Sequence, residues 1–291
     1  SCTKEDITFL NNSRYLNELN NKKFKFLIIQ KKNIKYFNSN KKLLIVNNVL
    51  QSVYKIVNLF YPNNTTDKVD LNLKAINERK IYEKLQIGKN ILVGNKVKIG
   101  ANTTIGNNTI IESNVIIGKN CCIGSNVVVK NSLIGDNVVI QDGAIIGKSG
   151  FGFSPNLNKN IYYPHVGMVI LNDNVQIGCN NTIDRGSLSN TIIGKNTFLD
   201  NQVHVAHNVK IGKNCIIAGQ VGIAGSTILG NQVHIGGQAG ISGHLNIGSN
   251  VKIAGGSGVI KDIPSNKNVM GYPAKDIKQF LRENNKWVTI F

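Results

Sequence analysis

Two histidines stand three residues apart in Asp200-Asn201-Gln202-Val203-His204-Val205-Ala206-His207-Asn208, and no other pair among the five histidines lies so close. Neutral imidazole accepts a proton near pH 7, so this segment suits general-base chemistry. His207 is set apart by the residues spaced from it at multiples of eighteen. The first such position is Gly225, in Ile223-Ala224-Gly225-Ser226, and the second is Gly243, with His244 next to it. In a chain that returns to the same place every eighteen residues, the base shares a column with two positions that carry no side chain. Glycine there admits a substrate to the backbone, and its N–H can face a developing oxyanion. Such a column suits acyl transfer from a thioester to an amine or alcohol. Asp200, seven residues before His207, is either a carboxylate that orients the imidazole, as in triads, or a turn residue. A covalent nucleophile is not indicated, because Cys121, Cys122, Cys179 and Cys215 have no histidine beside them in sequence.

The elements that position these residues come from a period of six. Ile193, Leu199, Val205, Ile211, Ile217, Ile223, Leu229, Ile235, Ile241, Ile247, Ile253 and Val259 form an unbroken aliphatic series. An earlier series runs from Ile81 to Val129, slips by one residue, and continues through Ile134, Ile140 and Ile146. Leu171, Ile177 and Ile183 carry it to a second slip. Gly and Asn recur just after the aliphatic residue, where tight corners need positive φ. Period six fits neither a helix nor an alternating strand, and it is the signature of a hexapeptide β-helix. Three hexads then make one coil, and about nine coils stack at roughly 4.8 Å. Two interruptions, Gly147 to Val169 and Asp184 to Asn190, are expected as loops thrown out from one face, where sites are often built. The first contains Gly150-Phe151-Gly152-Phe153.

Residues 1–72 lack the hexads. Lys25 to Gln30 and Lys42 to Val46 read as short buried strands, and Val49 to Phe60 as an amphipathic helix. This predicts a small α/β domain, with a linker after it at Tyr61 to Asp67. The solenoid is expected over 73–265. A turn at Met270 to Ala274 and a basic helix from Lys275 to Trp287, with Ile277, Phe280 and Leu281 on one face, complete the chain over 266–291. The helix reads as a cap over the open end of the solenoid.

The net charge of +18 points to an acidic partner or to a lysine-rich codon usage. No aromatic-interleaved basic motif for nucleic acid is present. No apolar run reaches about 18 residues, so no integral membrane segment is expected, and nothing at the N-terminus reads as a signal peptide. The five cysteines have no metal-like spacing and suit a reducing cytoplasm.

Several stretches together resemble the UDP-3-O-(3-hydroxyacyl)glucosamine N-acyltransferases of the lipid A pathway. They are Thr182-Ile183-Asp184-Arg185-Gly186, Leu199 to Val209, Gly150 to Phe153, Ile223 to Ser226, Gly243-His244-Leu245, and Ile7-Thr8-Phe9-Leu10-Asn11-Asn12-Ser13-Arg14-Tyr15. The resemblance implies a mainly β, left-handed parallel β-helix and a homotrimer with active sites between adjacent subunits. His207 would be the base that deprotonates the glucosamine 2-amino group of UDP-3-O-acylglucosamine. Gly225 would supply the oxyanion N–H, and His244 would help bind or polarise the sugar or its phosphate. Asn208 would contact substrate, and Phe9, Asn12 and Tyr15 would hold the uracil. The acyl donor would be an acyl carrier protein bearing 4'-phosphopantetheine, with no other cofactor and no metal, in the cytoplasm of a Gram-negative-type bacterium. The family has a further stretch before the Ile-Thr-Phe segment, so the N-terminal domain is expected to be incomplete. His204 departs from the amide more usual in the family and is similar to the sister O-acyltransferase.

Other readings make different demands. The sister UDP-N-acetylglucosamine O-acyltransferase lacks the N-terminal domain and the Gly-Phe-Gly-Phe loop. A sugar N-acetyltransferase would need no long acyl groove. A zinc-dependent carbonic anhydrase of this fold needs three convergent histidines, whereas positions 222, 225, 240 and 243 are all glycine. A purely structural solenoid is the non-enzyme alternative.

Overall fold

The computed structural model describes residues 6–20, 24–37, 42–62, 67, 69–76, 84–154 and 161–284. The chain divides into two compact units, Ser1–Thr66 with Gly152–Pro164, and Asp67–Phe151 with His165–Phe291. Ile81, the first hexad position, and the last residues of the expected C-terminal helix lie outside the described residues.

The first unit contains a parallel sheet of three strands, Ile7–Phe9, Phe26–Ile29 and Lys42–Ile45, in that order. The strand Ile7–Phe9 was not foreseen from the sequence. The helix spans Val49–Phe60, as its apolar spacing predicts, and buries Val49, Val53 and Val57. Asn48 caps it by accepting the Gln51 N–H at 3.0 Å. Phe153–Ser154 pairs antiparallel with Ile161–Tyr162 in the same unit.

The second unit is a parallel β-helix. Its three sheets have 8, 11 and 10 strands in order of stacking, and each strand pairs with one about a coil away. Val205 pairs with Ile223, and Ile223 with Ile241, eighteen residues on each time. At the interruptions the register skips, so that Ile134 pairs with Leu171 and Leu171 with Ile193. The aliphatic hexad residues are buried against one another from Val93 to Val259, with Ile99 partly buried, whereas Ile87 is 46% exposed. A second inward position, two residues before each of them, was not read from the sequence. It takes smaller side chains such as Val203, Cys215, Val221, Thr227 and Ala239, all buried. Several polar members return their hydroxyls or thiols to backbone carbonyls, as Thr227 Oγ1 does to Ser242 O at 2.9 Å and Cys215 Sγ to Gly230 O at 3.2 Å. Corner residues such as Asn196 and Asn214 adopt φ of 57° and 55°, the left-handed region expected for them.

The solenoid unit begins earlier than residue 73. Asp67 binds the Lys130 ammonium at 3.2 Å, beside Glu112 at 3.0 Å, and Asp70 accepts the Ser113 hydroxyl at 2.6 Å. Lys74–Ala75 then adds an antiparallel strand to Leu92–Val93. The C-terminal turn and helix are also part of it. Asn268–Met270 pairs with the strand Lys252–Ile253, and the helix occupies Ile277–Asn284. Ile277 lines a cleft with Ile253 and Val269.

Candidate active site

The strand register puts His207, Gly225 and Gly243 in one column at one corner of the solenoid. The His207 ring lies over Gly225. A Cβ at Gly225 would fall 2.7 Å from the ring's Cε1 and 2.8 Å from Nε2. Gly225 therefore makes room for the imidazole itself.

The same column changes the hydrogen bonding of the corner. At several other corners of the solenoid the N–H at this position donates to a side chain on the next coil. Asn95 N donates to Ser113 Oγ at 2.9 Å on this corner, Lys213 N to Asn231 Oδ1 at 2.9 Å on another, and Cys179 N to Asn201 Oδ1 at 2.7 Å on the third. Gly243 has no side chain to offer Gly225. Among the described residues the Gly225 N–H has no acceptor, and it opens beside the imidazole. An unserved donor next to a base is the arrangement that acyl transfer needs.

A strip of bare backbone adjoins the column. His204, Gly222, Gly240 and Gly258 are successive partners on the outer face. A Cβ at Gly222 or Gly240 would meet nothing within 4 Å, whereas Gly258 lies under the Tyr272 ring. A second bare column, Gly219, Gly237 and Gly255, runs along the neighbouring corner after Asn201.

The two interruptions build the wall behind His207. Gly150 packs on the imidazole, where a Cβ would come within 2.8 Å of His207 Cβ and 3.1 Å of His165 Nε2. His165, at the return of the first loop, is buried and meets the His207 ring edge-on at 5.2 Å. The second loop carries Ser187 and Ser189, both bound to Asn208. Its shape is held by Arg185 Nε, which donates to Gly167 O at 2.7 Å, and by Val166 N, which donates to Ser187 O at 2.7 Å.

His204 faces outward beside this site. Its Nδ1 lies 2.7 Å from Thr182 Oγ1, and its Nε2 lies 3.8 Å from Asp184 Oδ2. Burial pushes the Asp184 carboxyl up to about 7. Burial, and then the Lys148 ammonium, push the His204 imidazolium below its usual range, although half of its side chain is open to solvent. Both shifts favour the neutral forms.

Other candidates from the sequence lie apart. Asp200 stands next to Leu199 at a different corner, exposed beside Gly219, and no described contact joins it to His207. The residue at His207 Nδ1 is Asn208 instead, with its Oδ1 at 2.9 Å. Asn208, expected to contact substrate, has both ends of its amide engaged within the chain. His244 is exposed on the corner next to Gly243, in the left-handed conformation with φ of 61°. In the first unit, Asn12 and Tyr15 share one turn, with Tyr15 N donating to Asn12 O at 3.2 Å, and Phe9 ends the preceding strand half-buried. Among the described residues no group of three His, Cys, Asp or Glu side chains could hold a metal ion. No helix among them is long and apolar enough to cross a membrane.

Comparison with known proteins adds to this geometry. The bacterial transferase hexapeptide (six repeats) family matches residues 96–131 and 190–225. A UDP-3-O-acylglucosamine N-acyltransferase from Caulobacter vibrioides is 48% identical over 139 residues, which is 48% of this chain and 41% of that protein. One from Agrobacterium fabrum is 51% identical over 138 residues, covering 47% and 39%. The match thus spans about two fifths of the length of these curated relatives. Among solved structures, a UDP-N-acetylglucosamine acyltransferase from Bacteroides fragilis superposes with a TM-score of 0.51 at 28% identity, over 69% of this chain and 76% of that one. The solenoid is a left-handed parallel β-helix of hexapeptide repeats, and in its matched half the chain is similar to the UDP-3-O-acylglucosamine N-acyltransferases.

Proposed function

We propose that this chain transfers a 3-hydroxyacyl group from an acyl carrier protein to the 2-amino group of UDP-3-O-acylglucosamine. The observation that carries the reading is the His207 imidazole stacked on Gly225, beside a Gly225 N–H that Gly243 leaves without an acceptor. The acceptor class is suggested by the names of the similar proteins.

In this reading the sugar amine attacks the thioester carbonyl while His207 removes its proton. The carbonyl oxygen becomes negative and is held by the Gly225 N–H. As the intermediate collapses the C–S bond breaks, and the imidazolium returns its proton to the departing pantetheine thiolate. The new C–N bond is the amide, and no acyl-enzyme forms. His244, exposed on the same corner, is the residue assigned to the sugar or its phosphate. The glycine strip from Gly222 to Gly240 offers a floor on which an extended chain can lie against the backbone. Phe9, Asn12 and Tyr15 are the residues assigned to the uracil. A homotrimer, and a cytoplasmic location where the carrier protein is met, belong to the same proposal.

The test is acyl transfer by the purified chain with 3-hydroxyacyl carrier protein and UDP-3-O-acylglucosamine. N-acylated product is expected, and His207→Ala should lower the rate roughly 10²- to 10⁴-fold. No product from the intact chain, or an undiminished rate in His207→Ala, overturns the reading. Product with UDP-N-acetylglucosamine as sole acceptor would instead favour the O-acyltransferase reading, to which His204 is the pointer.

A further inference from the structure

The amide of Asn208 cannot be turned over. Its Oδ1 accepts the Ser187 backbone N–H at 3.1 Å and the Ser187 hydroxyl at 2.9 Å. Its Nδ2 donates to the Ser189 carbonyl at 3.0 Å and reaches the Ser189 Oγ at 2.7 Å. A backbone N–H can only donate and a carbonyl can only accept, so these two contacts assign the oxygen and the nitrogen of the amide. The backbone of Asn208 is fixed as well, with its N–H on Thr191 Oγ1 at 2.9 Å and its φ at 64°.

The assigned oxygen is the atom that meets His207 Nδ1, at 2.9 Å. An amide oxygen accepts only, so Nδ1 must carry a proton. A neutral imidazole has one ring proton, and Nε2 is left with a free lone pair. Nε2 is also the nitrogen over Gly225, 2.8 Å from where a Cβ there would stand.

We propose that Asn208, clamped by Ser187 and Ser189, is the positioning residue of the site: it holds His207 as the Nδ1–H tautomer and thereby makes Nε2 the proton-accepting atom. The inference deepens the acyl-transfer reading above and rests on it only for the identity of the proton donor, the attacking amine. It gives the second interruption a task. The Asp184 to Asn190 loop supplies both serines, and Gly186 lets it close, since a Cβ at Gly186 would collide with the Ser189 carbonyl. It also accounts for an amide where triads use a carboxylate. An aspartate at 208 would set an oxygen against the Ser189 carbonyl, which needs a donor.

The test reads the tautomer directly. In protein labelled with ¹⁵N-histidine, long-range ¹H–¹⁵N correlation distinguishes a protonated ring nitrogen from a bare one, and His207→Ala identifies the His207 signals. The intact chain should have Nδ1 protonated and Nε2 bare at a pH where the ring is neutral. Asn208→Gly removes the amide while suiting the positive φ, so it keeps the corner. It should move the ring toward the Nε2–H form that free histidine prefers, and lower kcat on the order of 10²-fold with a smaller change in KM. Ser187→Ala with Ser189→Ala, which keeps Asn208, should shift the tautomer partway in the same direction. Nε2–H in the intact chain, or an unchanged tautomer in Asn208→Gly, overturns the proposal. The spectrum does not depend on turnover. An inactive chain with the expected tautomer therefore counts against the acyl-transfer reading alone, and an active chain with the wrong tautomer against the positioning role alone.

Discussion

A glycine under the His207 imidazole makes that position sensitive to a single methyl group. At Gly225 a Cβ would stand 2.7 Å from His207 Cε1, against a ring packed on its other sides by Gly150 and His165. The ring has to move. In the acyltransferase reading, Gly225→Ala should lower kcat about 10²-fold, the scale of a misplaced reacting group. Its melting temperature should stay close to that of the parent, since the φ of Gly225 is not among the positive values. A kcat within twofold of the parent would mean that the ring position does not matter. The column itself was legible in the sequence, because eighteen-residue arithmetic needs only an unbroken period, and Ile193 to Val259 supplies one. The contacts of Asn208 are not legible in the sequence, for the opposite reason. Its partners Ser187 and Ser189 lie in a loop where the period fails, and no spacing rule places a loop residue against a corner.

At the scale of strands and loops, the two interruptions matter more than the hexads they break. They carry a buried acid, Asp184, into the wall of the site. Its carboxyl is raised by burial to about 7 from an ordinary 3.8. A folded-state value above the unfolded one means that the folded chain holds the extra proton in between. Asp184's contribution to stability is therefore complete below about pH 4 and is lost as pH rises to about 7, at up to about 1.4 kcal/mol per pH unit. Asp184→Asn should remove this dependence. The stability of the variant relative to the parent, measured by urea unfolding at pH 5 and pH 8, should be greater at pH 8. An equal difference at both values would place the proton elsewhere. The strands themselves supply a simpler case. Ser257 occupies the small inward position, buried, and its hydroxyl has no partner among the described residues. Ser257→Ala should raise stability by about 1 kcal/mol in the same assay. The hexads foretold which aliphatic residues point inward. They did not foretell the second inward row, because Cys215, Thr227 and Ser257 share no hydropathy, only size. His165 was invisible as a neighbour of His207 for a related reason, since a loop of unknown course separates it from the repeat.

For the molecule as a whole, the excess of lysine and arginine is a property that no single contact explains. The net charge is +18, and lysines such as Lys119, Lys195, Lys213 and Lys252 stand on corners and outer faces along the solenoid. A field of that sign speeds the approach of an acidic partner and is screened by salt. With an acidic carrier protein as donor, KM should rise several-fold between about 0.05 and 0.3 M salt. With a short pantetheine thioester as donor it should change little. Equal salt dependence for both donors would exclude charge steering of the carrier. The second unit begins at Asp67 rather than at 73, and Asp67 reads as the end of a polar linker while Asp70 carries no hexad signal. Their carboxylates are instead the groups that fasten the first strand of the solenoid to Lys130 and Ser113.

At many corners of this solenoid a side chain of the next coil serves an N–H of the one before, and that dependence makes reactivity and robustness exchangeable by one residue. Ser113 silences the Asn95 amide on the same corner where Gly243 leaves the Gly225 amide exposed. Gly243→Ser should carry the quiet version of the corner into the site. The variant is expected to be tougher than its parent, by about 0.5–1.5 kcal/mol in urea, and inert as a transferase. A fold assembled from such interchangeable rungs can gain or surrender a reactive corner without altering its core, so inactive solenoids and enzymes of this type are separated by very little sequence.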